Sequence, residues 1–266
     1  MDLFEHRRTY PAEGSGPLKF PGKRLTALAQ RYPLAFNPAW AWLYPLLGRG
    51  NWHFDSAFQD RASAFQAIHD QNLWLSGETR SGLGSTLSYT APMRRGLERL
   101  LRRLKVKTLL DLPCGDFNWM RHVRLHDGAH YLGGDLVVSL IEKLQQEHAS
   151  EHRKFMILDM VEDEIPAADL WLCRDALFHL PNNDVATVLK RFSRSGVPFI
   201  LTTTYDFAEV NHDINPGGFR FINLQAPPFS LPRPAVRIAD FIVPWPPRYL
   251  ALWSREQVLS SPIGQL

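Results

Sequence analysis

Five short apolar runs, separated by helical or loop segments, constrain the fold of this chain more than any other feature. They lie between residues 106 and 205 and read VKTLLDL, HYLGGDL, KFMILDM, ADLWLCRD and VPFILTTTY. Apolar runs without polar alternation are typical of strands that are buried on both faces of a parallel sheet. Residues 90–104, 137–148 and 182–195 show the apolar spacing of helices instead. The alternation predicts an α/β fold with a doubly wound, mostly parallel sheet.

Polar residues follow the predicted strands at the point where each strand ends. Asp111 ends the first, Asp135 the second and Asp159 the third, while Arg174 and Asp175 end the fourth. The carboxyl ends of parallel strands meet at one edge of a sheet, where such folds bind their ligands. An acidic residue after the second strand is suited to ribose hydroxyls. The pattern favours a cofactor that contains a nucleoside, although each aspartate alone is also compatible with a turn or strand-end role.

The turn after the first strand limits the choice of cofactor. Its sequence, LLDLPCGDFNWM, contains one glycine, Gly115, whereas a dinucleotide site needs the spacing G-x-G-x-x-G. Asp116 would in addition repel a pyrophosphate. A cofactor without phosphate groups is therefore favoured.

These motifs resemble those of the class I S-adenosylmethionine-dependent methyltransferases. Asp111 matches the acidic position of the family's first motif and Gly115 its central glycine. Pro113 and Phe117 replace the flanking glycines, as in a D-x-P-C-G-x-G/F-x-W variant of the motif. YLGGDLV, MILDM and ADLWLCRDALFHLP resemble the second, third and fourth motifs, in order. The resemblance implies a seven-stranded Rossmann-like sheet, in which FRFINL (219–224) and RYLALWS (248–254) are the sixth and seventh strands, an antiparallel pair.

The resemblance also implies a cofactor, S-adenosyl-L-methionine, and a role for individual residues. Gly115 would pass close to the methionine part, Asp135 would hold the ribose diol, and Asp159 with Met160 would flank the adenine. Arg174 would lie near the amino-acid end. The full predicted cofactor set is Trp74, Arg80, Ser85, Asp111, Pro113, Cys114, Gly115, Trp119, Asp135, Leu136, Asp159, Met160 and Arg174.

A small-residue segment before the first core helix, residues 74–90, is the second informative stretch. It reads WLSGETRSGLGSTLSYT, and its N–H groups with the following helix dipole favour an anion. The carboxylate of the cofactor is such an anion, and Arg80 is placed to pair with it. The alternative interpretation is that this segment is a flexible linker.

The acceptor side is predicted less specifically. Asp175 and His179 are four residues apart, so on a helical turn they share a face, and Asp175 can orient His179 as a general base. A helix cap before Pro181 is the alternative for His179. The candidate substrate-binding residues follow the fifth strand, although some of them can instead satisfy loop backbone: Tyr205, Asn211, His212, Asp213 and Arg220.

The predicted function is methyl transfer to a hydroxyl, or to an amine, of a small or medium polar acceptor such as a hydroxylated metabolite or a glycan. The alternatives are a nucleotide-dependent oxidoreductase and a non-catalytic cofactor-binding protein. The net charge of +3 is too small and too dispersed for a nucleic-acid partner. The basic cluster at 94–107 is either a solvated face or the contact of an anionic partner.

Composition and domain organisation complete the prediction. Two cysteines, no metal-binding spacing and no apolar core at the N-terminus favour a metal-free cytoplasmic protein. Residues 1–88 are expected to form a helical and loop extension that covers the site, with helices at 22–30 and 56–72. The apolar stretch at 37–50 is too short to cross a bilayer and is predicted to pack inside, with an interfacial or substrate-facing role left open. Residues 89–266 form the methyltransferase core, in which the Pro-rich loop 206–247 shapes the acceptor side.

Overall fold

The structure, a computed structural model, describes residues 33–46 and 53–265. The helix predicted at 22–30 lies outside these residues. Along the described chain the helices are α1 (Pro33–Leu46), α2 (Arg61–Asp70), α3 (Leu87–Leu104), α4 (Val138–His148), α5 (Asn182–Arg194), α6 (Arg255–Leu259) and α7 (Pro262–Gln265). The strands are β1 (His53–Phe54), β2 (Thr108–Asp111), β3 (His130–Asp135), β4 (Arg153–Ile157), β5 (Leu170–Cys173), β6 (Phe199–Thr204), β7 (Phe219–Arg220), β8 (Val236–Ala239) and β9 (Tyr249–Ser254).

Seven of these strands form one sheet with the order β4-β3-β2-β5-β6-β9-β8. The strands from β2 to β6 pair in parallel, and β9 is antiparallel to both of its neighbours. The predicted doubly wound, mostly parallel sheet is thus confirmed. The strand order reverses between β2 and β5, and a crevice at such a point is where open α/β sheets bind ligands.

The edge of the sheet differs from the prediction in one strand. RYLALWS does supply β9, but FRFINL does not enter the large sheet: its first two residues form β7 and pair with β1 in a separate ribbon. Because β9 already pairs with β6 along all six of its residues, no edge of β6 is left for the 219–224 segment. The outer strand is β8, which lies in the Pro-rich tail.

Helices cover both faces of the sheet with the apolar stripes that the sequence indicates. On α5, Val185, Val188, Leu189 and Phe192 are fully buried. On α3 the buried stripe is Met93, Leu97, Leu100 and Leu101. These two layers place the carboxyl ends of the strands at one open rim.

The N-terminal helices pack on this core. Helix α2 begins later than the predicted residue 56, because Asp60 accepts the capping hydrogen bond from the Ser63 N–H. Helix α1 buries Trp40 and Tyr44 against Phe241 and Val243 of the tail, as interior packing of this stretch requires.

The opposite face of α1 is exposed, with Trp42 at 74%. In the part of the chain that the structure describes, no helix is long and apolar enough to cross a membrane.

Candidate active site

A cleft opens at the rim, over the carboxyl ends of β2, β3 and β5. With its open mouth it encloses about 1010 Å³, a size within reach of a small-molecule site. All thirteen predicted cofactor residues line it, and Asp175 does as well. Sequence reasoning missed one wall, which helix α2 supplies through Arg61, Phe65, Ile68 and His69.

The turn after β2 is held to β3 by a carboxylate. Gly115 has a φ of +55° and donates its N–H to Oδ2 of Asp135 at 3.0 Å. Oδ1 of Asp135 accepts from the Val137 N–H at 3.1 Å. A carboxylate offers about four lone-pair positions, so Asp135 keeps acceptor capacity toward the cleft. Burial raises the pKa of Asp135 above its usual range.

Asp111 is also buried, and its hydrogen-bond partner is a side-chain hydroxyl. It accepts a hydrogen bond from the Tyr131 hydroxyl at 2.7 Å, and 2% of its surface is exposed. Burial raises its pKa to about 7, against the lowering effect of the Tyr131 hydrogen bond. Asp111 therefore titrates close to neutral pH.

Asp116 anchors the small-residue loop before α3 to this turn. Its carboxylate accepts from the Thr79 hydroxyl at 2.6 Å, from the Arg80 N–H at 2.9 Å and from the Ser81 hydroxyl at 3.2 Å. These bonds oppose the flexible-linker reading of residues 74–90. The sequence argument treated Asp116 only as an obstacle to phosphate and missed this anchoring role.

Four charged residues beneath the loop, three of them buried, form a closed network. Arg174 binds Asp240 through Nε at 3.0 Å and Nη2 at 2.9 Å. Arg248 binds Asp175 at 2.8 Å and lies 3.4 Å from Asp240. Nη2 of Arg174 also donates to the Gly84 carbonyl at 2.8 Å. Arg174 thus lines the cleft, as predicted, while its guanidinium is held by Asp240 and Gly84.

The predicted pairing of Asp175 with His179 does not occur in the described structure. Asp175 has a left-handed φ of +55° and is followed by a 3-10 turn, so the spacing of four residues does not give a shared helical face. The Asp175 carboxylate instead contacts Arg248 and the Thr203 hydroxyl. Nδ1 of His179 lies 2.6 Å from the Gly218 carbonyl oxygen. Because a carbonyl oxygen can only accept a hydrogen bond, Nδ1 must carry the proton.

His179 is not one of the residues that line the described cleft, but it contacts one of them. Its ring stacks on Trp74, a residue that lines the cleft, with 5.0 Å between the ring centroids. Burial lowers the pKa of His179 to about 4. The imidazole is therefore neutral at pH 7, and its Nε2 carries a lone pair.

The five residues predicted to bind the acceptor do not line the described cleft. The Asn211 side chain forms hydrogen bonds with the backbone of Asn223 and Pro227. The Asp213 carboxylate accepts a hydrogen bond from the first N–H of α5. For these two residues the structure supports the loop-backbone alternative.

The other three acceptor candidates also contact the protein itself and do not line the cleft. Tyr205 is buried among aromatic rings, and Arg220 is buried with a hydrogen bond to the Leu180 carbonyl. His212 stacks on His53 at 4.2 Å. A role for any of these residues in acceptor binding stays a prediction.

We expect Asp111→Asn to stabilise the protein more at pH 8 than at pH 5. The folded-state pKa of about 7 lies above the unfolded value of about 3.9, so the folded state loses stability as the pH rises through this window. Because asparagine cannot ionise, the free energy of unfolding of the variant relative to that of the wild type should increase by on the order of 2 kcal/mol from pH 5 to pH 8. Urea unfolding at both values measures it, with the exposed Asp127→Asn as control. An equal effect of Asp111→Asn at pH 5 and pH 8 would contradict the raised pKa.

We expect Gly115→Ala to destabilise the protein more than Gly128→Ala. Both glycines have positive φ, which costs an alanine about 1–2 kcal/mol. A Cβ on Gly128 meets no heavy atom within 4 Å, whereas one on Gly115 lies 2.4 Å from the Ser81 hydroxyl oxygen. The overlap should add about 1–3 kcal/mol to the loss in the free energy of unfolding, and Ser81→Gly in the same chain should relieve it. Equal losses for the two glycine variants would show that Ser81 yields freely.

The comparisons with known proteins concern the fold. No protein-family model matches the chain, and no curated protein matches it. Among solved structures, magnesium protoporphyrin IX methyltransferase from Synechocystis PCC 6803 with bound SAM is 10% identical, with a TM-score of 0.51 over 75% of this chain and 99% of that one. The N-methyltransferase NodS from Bradyrhizobium japonicum WM9 is 12% identical, with a TM-score of 0.43 over 61% of this chain and 96% of that one.

Human N-acetylserotonin methyltransferase in complex with SAM is 19% identical, with a TM-score of 0.41 over 53% of this chain. The match spans 41% of the human chain, less than half of its length. Together with the strand order, the likeness to the Synechocystis enzyme shows that this chain has the α/β fold of the Rossmann-like methyltransferases.

Proposed function

We propose that the chain binds S-adenosyl-L-methionine in the rim cleft and catalyses methyl transfer to a hydroxyl of a small or medium polar acceptor. The observation that carries the proposal is the shared location of the thirteen residues that the motifs predict: they line one cleft, at the point where the strand order reverses. Those residues come from four separate motifs and the loop before α3, so their meeting in one cleft is not a consequence of sequence proximity.

The polar groups of the cleft fit this cofactor chemically. Asp135 has acceptor capacity for a ribose diol, and Asp159 has it for an exocyclic amine. Asp111 and Asp135 have no arginine or lysine within ion-pair distance in the described structure, which favours a cationic ligand such as a sulfonium.

The same groups disfavour a dinucleotide. A pyrophosphate at the Gly115 turn would face Asp111 and Asp135, and negative charges at short distance repel each other. The oxidoreductase alternative therefore has no support from the charges of the cleft.

In the proposed reaction the protein aligns the acceptor and removes one proton. The bound cofactor supplies an electrophilic methyl group. His179 is the candidate base: its Nδ1–H donates to the Gly218 carbonyl, so its Nε2 is the nitrogen that accepts a proton from the acceptor hydroxyl. Its ring stacks on Trp74, which lines the cleft. A base with a pKa of about 4 is always unprotonated at neutral pH but takes a proton weakly, so its contribution belongs at the low end of general-base catalysis.

A non-catalytic cofactor-binding protein is the second candidate. The observation that favours it is that the five tail residues predicted for the acceptor contact the protein itself rather than line the cleft. Turnover of a panel of hydroxylated metabolites and glycans with radiolabelled cofactor separates the two functions. Methyl transfer to any member decides for the enzyme.

Calorimetry with S-adenosylhomocysteine tests cofactor binding directly. We expect binding in the micromolar range, about −7 to −8 kcal/mol, and no comparable binding of NAD. Asp135→Asn, which keeps the shape of the side chain, should cost about 1.5–3 kcal/mol of this affinity because a charge-assisted hydrogen bond is lost. The exposed Asp127→Asn is the matched control. Binding of NAD alone would overturn the proposal, and an unchanged affinity of Asp135→Asn would remove the ribose role.

We expect His179→Gln to lower turnover by about 10²-fold once an acceptor is known. Glutamine retains a hydrogen-bonding side chain but cannot act as a base, and the affinity for S-adenosylhomocysteine should not change. Because burial sets the pKa of His179 at about 4, the wild-type rate should stay level down to about pH 5 and fall only below it. Normal turnover of His179→Gln would make the imidazole a structural group.

A further inference from the structure

Arg61, the first residue of α2, joins this helix to two parts of the core rim. Its guanidinium lies 3.0 Å from Asp159, which follows β4, and 3.1 Å from Asp184 in the first turn of α5. A third carboxylate, that of Glu162, is 3.1 Å away. One cation therefore faces three carboxylates from two segments.

The three carboxylates differ in their surroundings. The Asp159 and Asp184 side chains are 15% and 16% exposed, whereas that of Glu162 is 69% exposed. An exposed ion pair contributes little to stability, so the pair with Glu162 is dispensable. Of the three, only Asp159 lines the cleft, and Arg61 lines it as well.

The contacts of Asp159 fix the direction of its carboxylate. Oδ1 accepts from the Val161 N–H at 2.8 Å, and Oδ2 accepts from Arg61. These two bonds use one lone pair on each oxygen and hold the carboxylate plane from both ends, while a further lone pair on each remains. Without Arg61 the carboxylate would keep only the local bond to Val161.

A cation at the start of a helix is an unfavourable arrangement. The N-terminal end of a helix carries a partial positive charge, which favours acidic residues there. Arg61 stands at this position in α2, and no acidic residue occurs in the first turn of the helix. The ion pairs with the rim offset this cost, and one of them is with Asp159, which lines the cleft.

We propose that Arg61 is a positioning residue for the adenine end of the cofactor, a role that rests on the proposed function. It holds the Asp159 carboxylate so that a free lone pair accepts a hydrogen bond from the exocyclic amine, and it keeps the wall formed by α2 against the rim. Arg61 itself need not touch the ligand. The selectivity for adenine over a base with a carbonyl in place of the amine then depends on Arg61.

The test compares two ligands by calorimetry: S-adenosylhomocysteine and S-inosylhomocysteine, in which a carbonyl replaces the amine. The wild-type protein should prefer the adenosyl ligand about 10- to 100-fold. Arg61→Met keeps most of the aliphatic stem and removes the guanidinium. We expect this variant to lose about 5- to 20-fold in affinity for the adenosyl ligand and less than about twofold for the inosyl ligand, so that the preference falls.

Two variants serve as matched controls. Glu162→Gln removes the exposed partner alone, and Arg191→Met removes another arginine that binds the same loop, through the Val161 and Asp163 carbonyls, without lining the cleft. Both should retain the wild-type preference. Thermal unfolding of each variant shows whether a lost affinity reflects a lost fold.

The outcomes separate the two proposals. If Arg61→Met loses affinity for both ligands equally, α2 has only a structural role and the positioning proposal is wrong. It is also wrong if the preference is unchanged or rises. Both results leave the proposed function standing as long as the wild-type protein binds S-adenosylhomocysteine. Failure of the wild-type protein to bind that ligand overturns the proposed function itself.

Discussion

The rim depends on one ion-pair network, which is formed by Arg174, Asp240, Arg248 and Asp175. Each carboxylate lies within 3.4 Å of both guanidinium groups, so every nearest neighbour in the network is an opposite charge. Three of the four residues are buried, and the network is neutral as a whole. Removing one member would leave an uncompensated charge in the interior, which costs several kcal/mol.

This network joins parts of the chain that are distant in sequence. Arg174 and Asp175 follow β5, while Asp240 and Arg248 flank the turn between β8 and β9. The loop before α3 closes on the same network, because the Gly84 carbonyl accepts from Arg174, and a Cβ at Gly84 would lie 2.8 Å from Asp175. The Pro-rich tail therefore shapes the site from beneath, by supplying the partners of two strand-end residues. The sequence prediction gave this tail a direct role in acceptor binding instead.

The sequence predicts most of what depends on local pattern. Strand-end residues such as Asp111 and Asp135 could be placed at one rim, because the carboxyl ends of buried parallel strands all lie at the same edge of the sheet. The partners Asp240 and Arg248 could not, since nothing within their own segment indicates which charges they meet. The conformation of Asp175 is likewise set by tertiary contacts. The prediction that it pairs with His179 assumed a helical turn, which the structure does not have there. The β7 segment was misplaced because its alternation fits a strand without indicating which neighbour it joins.

Arg61 was missed because the helix was predicted to begin at residue 56, whereas it begins at Arg61. An arginine directly after a capping aspartate, at the positive end of a short helix, opposes the helix dipole and therefore calls for acidic partners elsewhere. Its partners then follow from the fold: α5 presents Asp184 and the segment after β4 presents Asp159, both at the rim that α2 crosses. The charges at the rim are thus divided by function. Asp159, Asp175 and Arg174 are neutralised by protein partners and hold the walls in place. Asp111 and Asp135 accept hydrogen bonds only from a hydroxyl and from backbone N–H groups, and in the described structure neither has an arginine or lysine within ion-pair distance; under the proposed function these are the two carboxylates left to face the sulfonium.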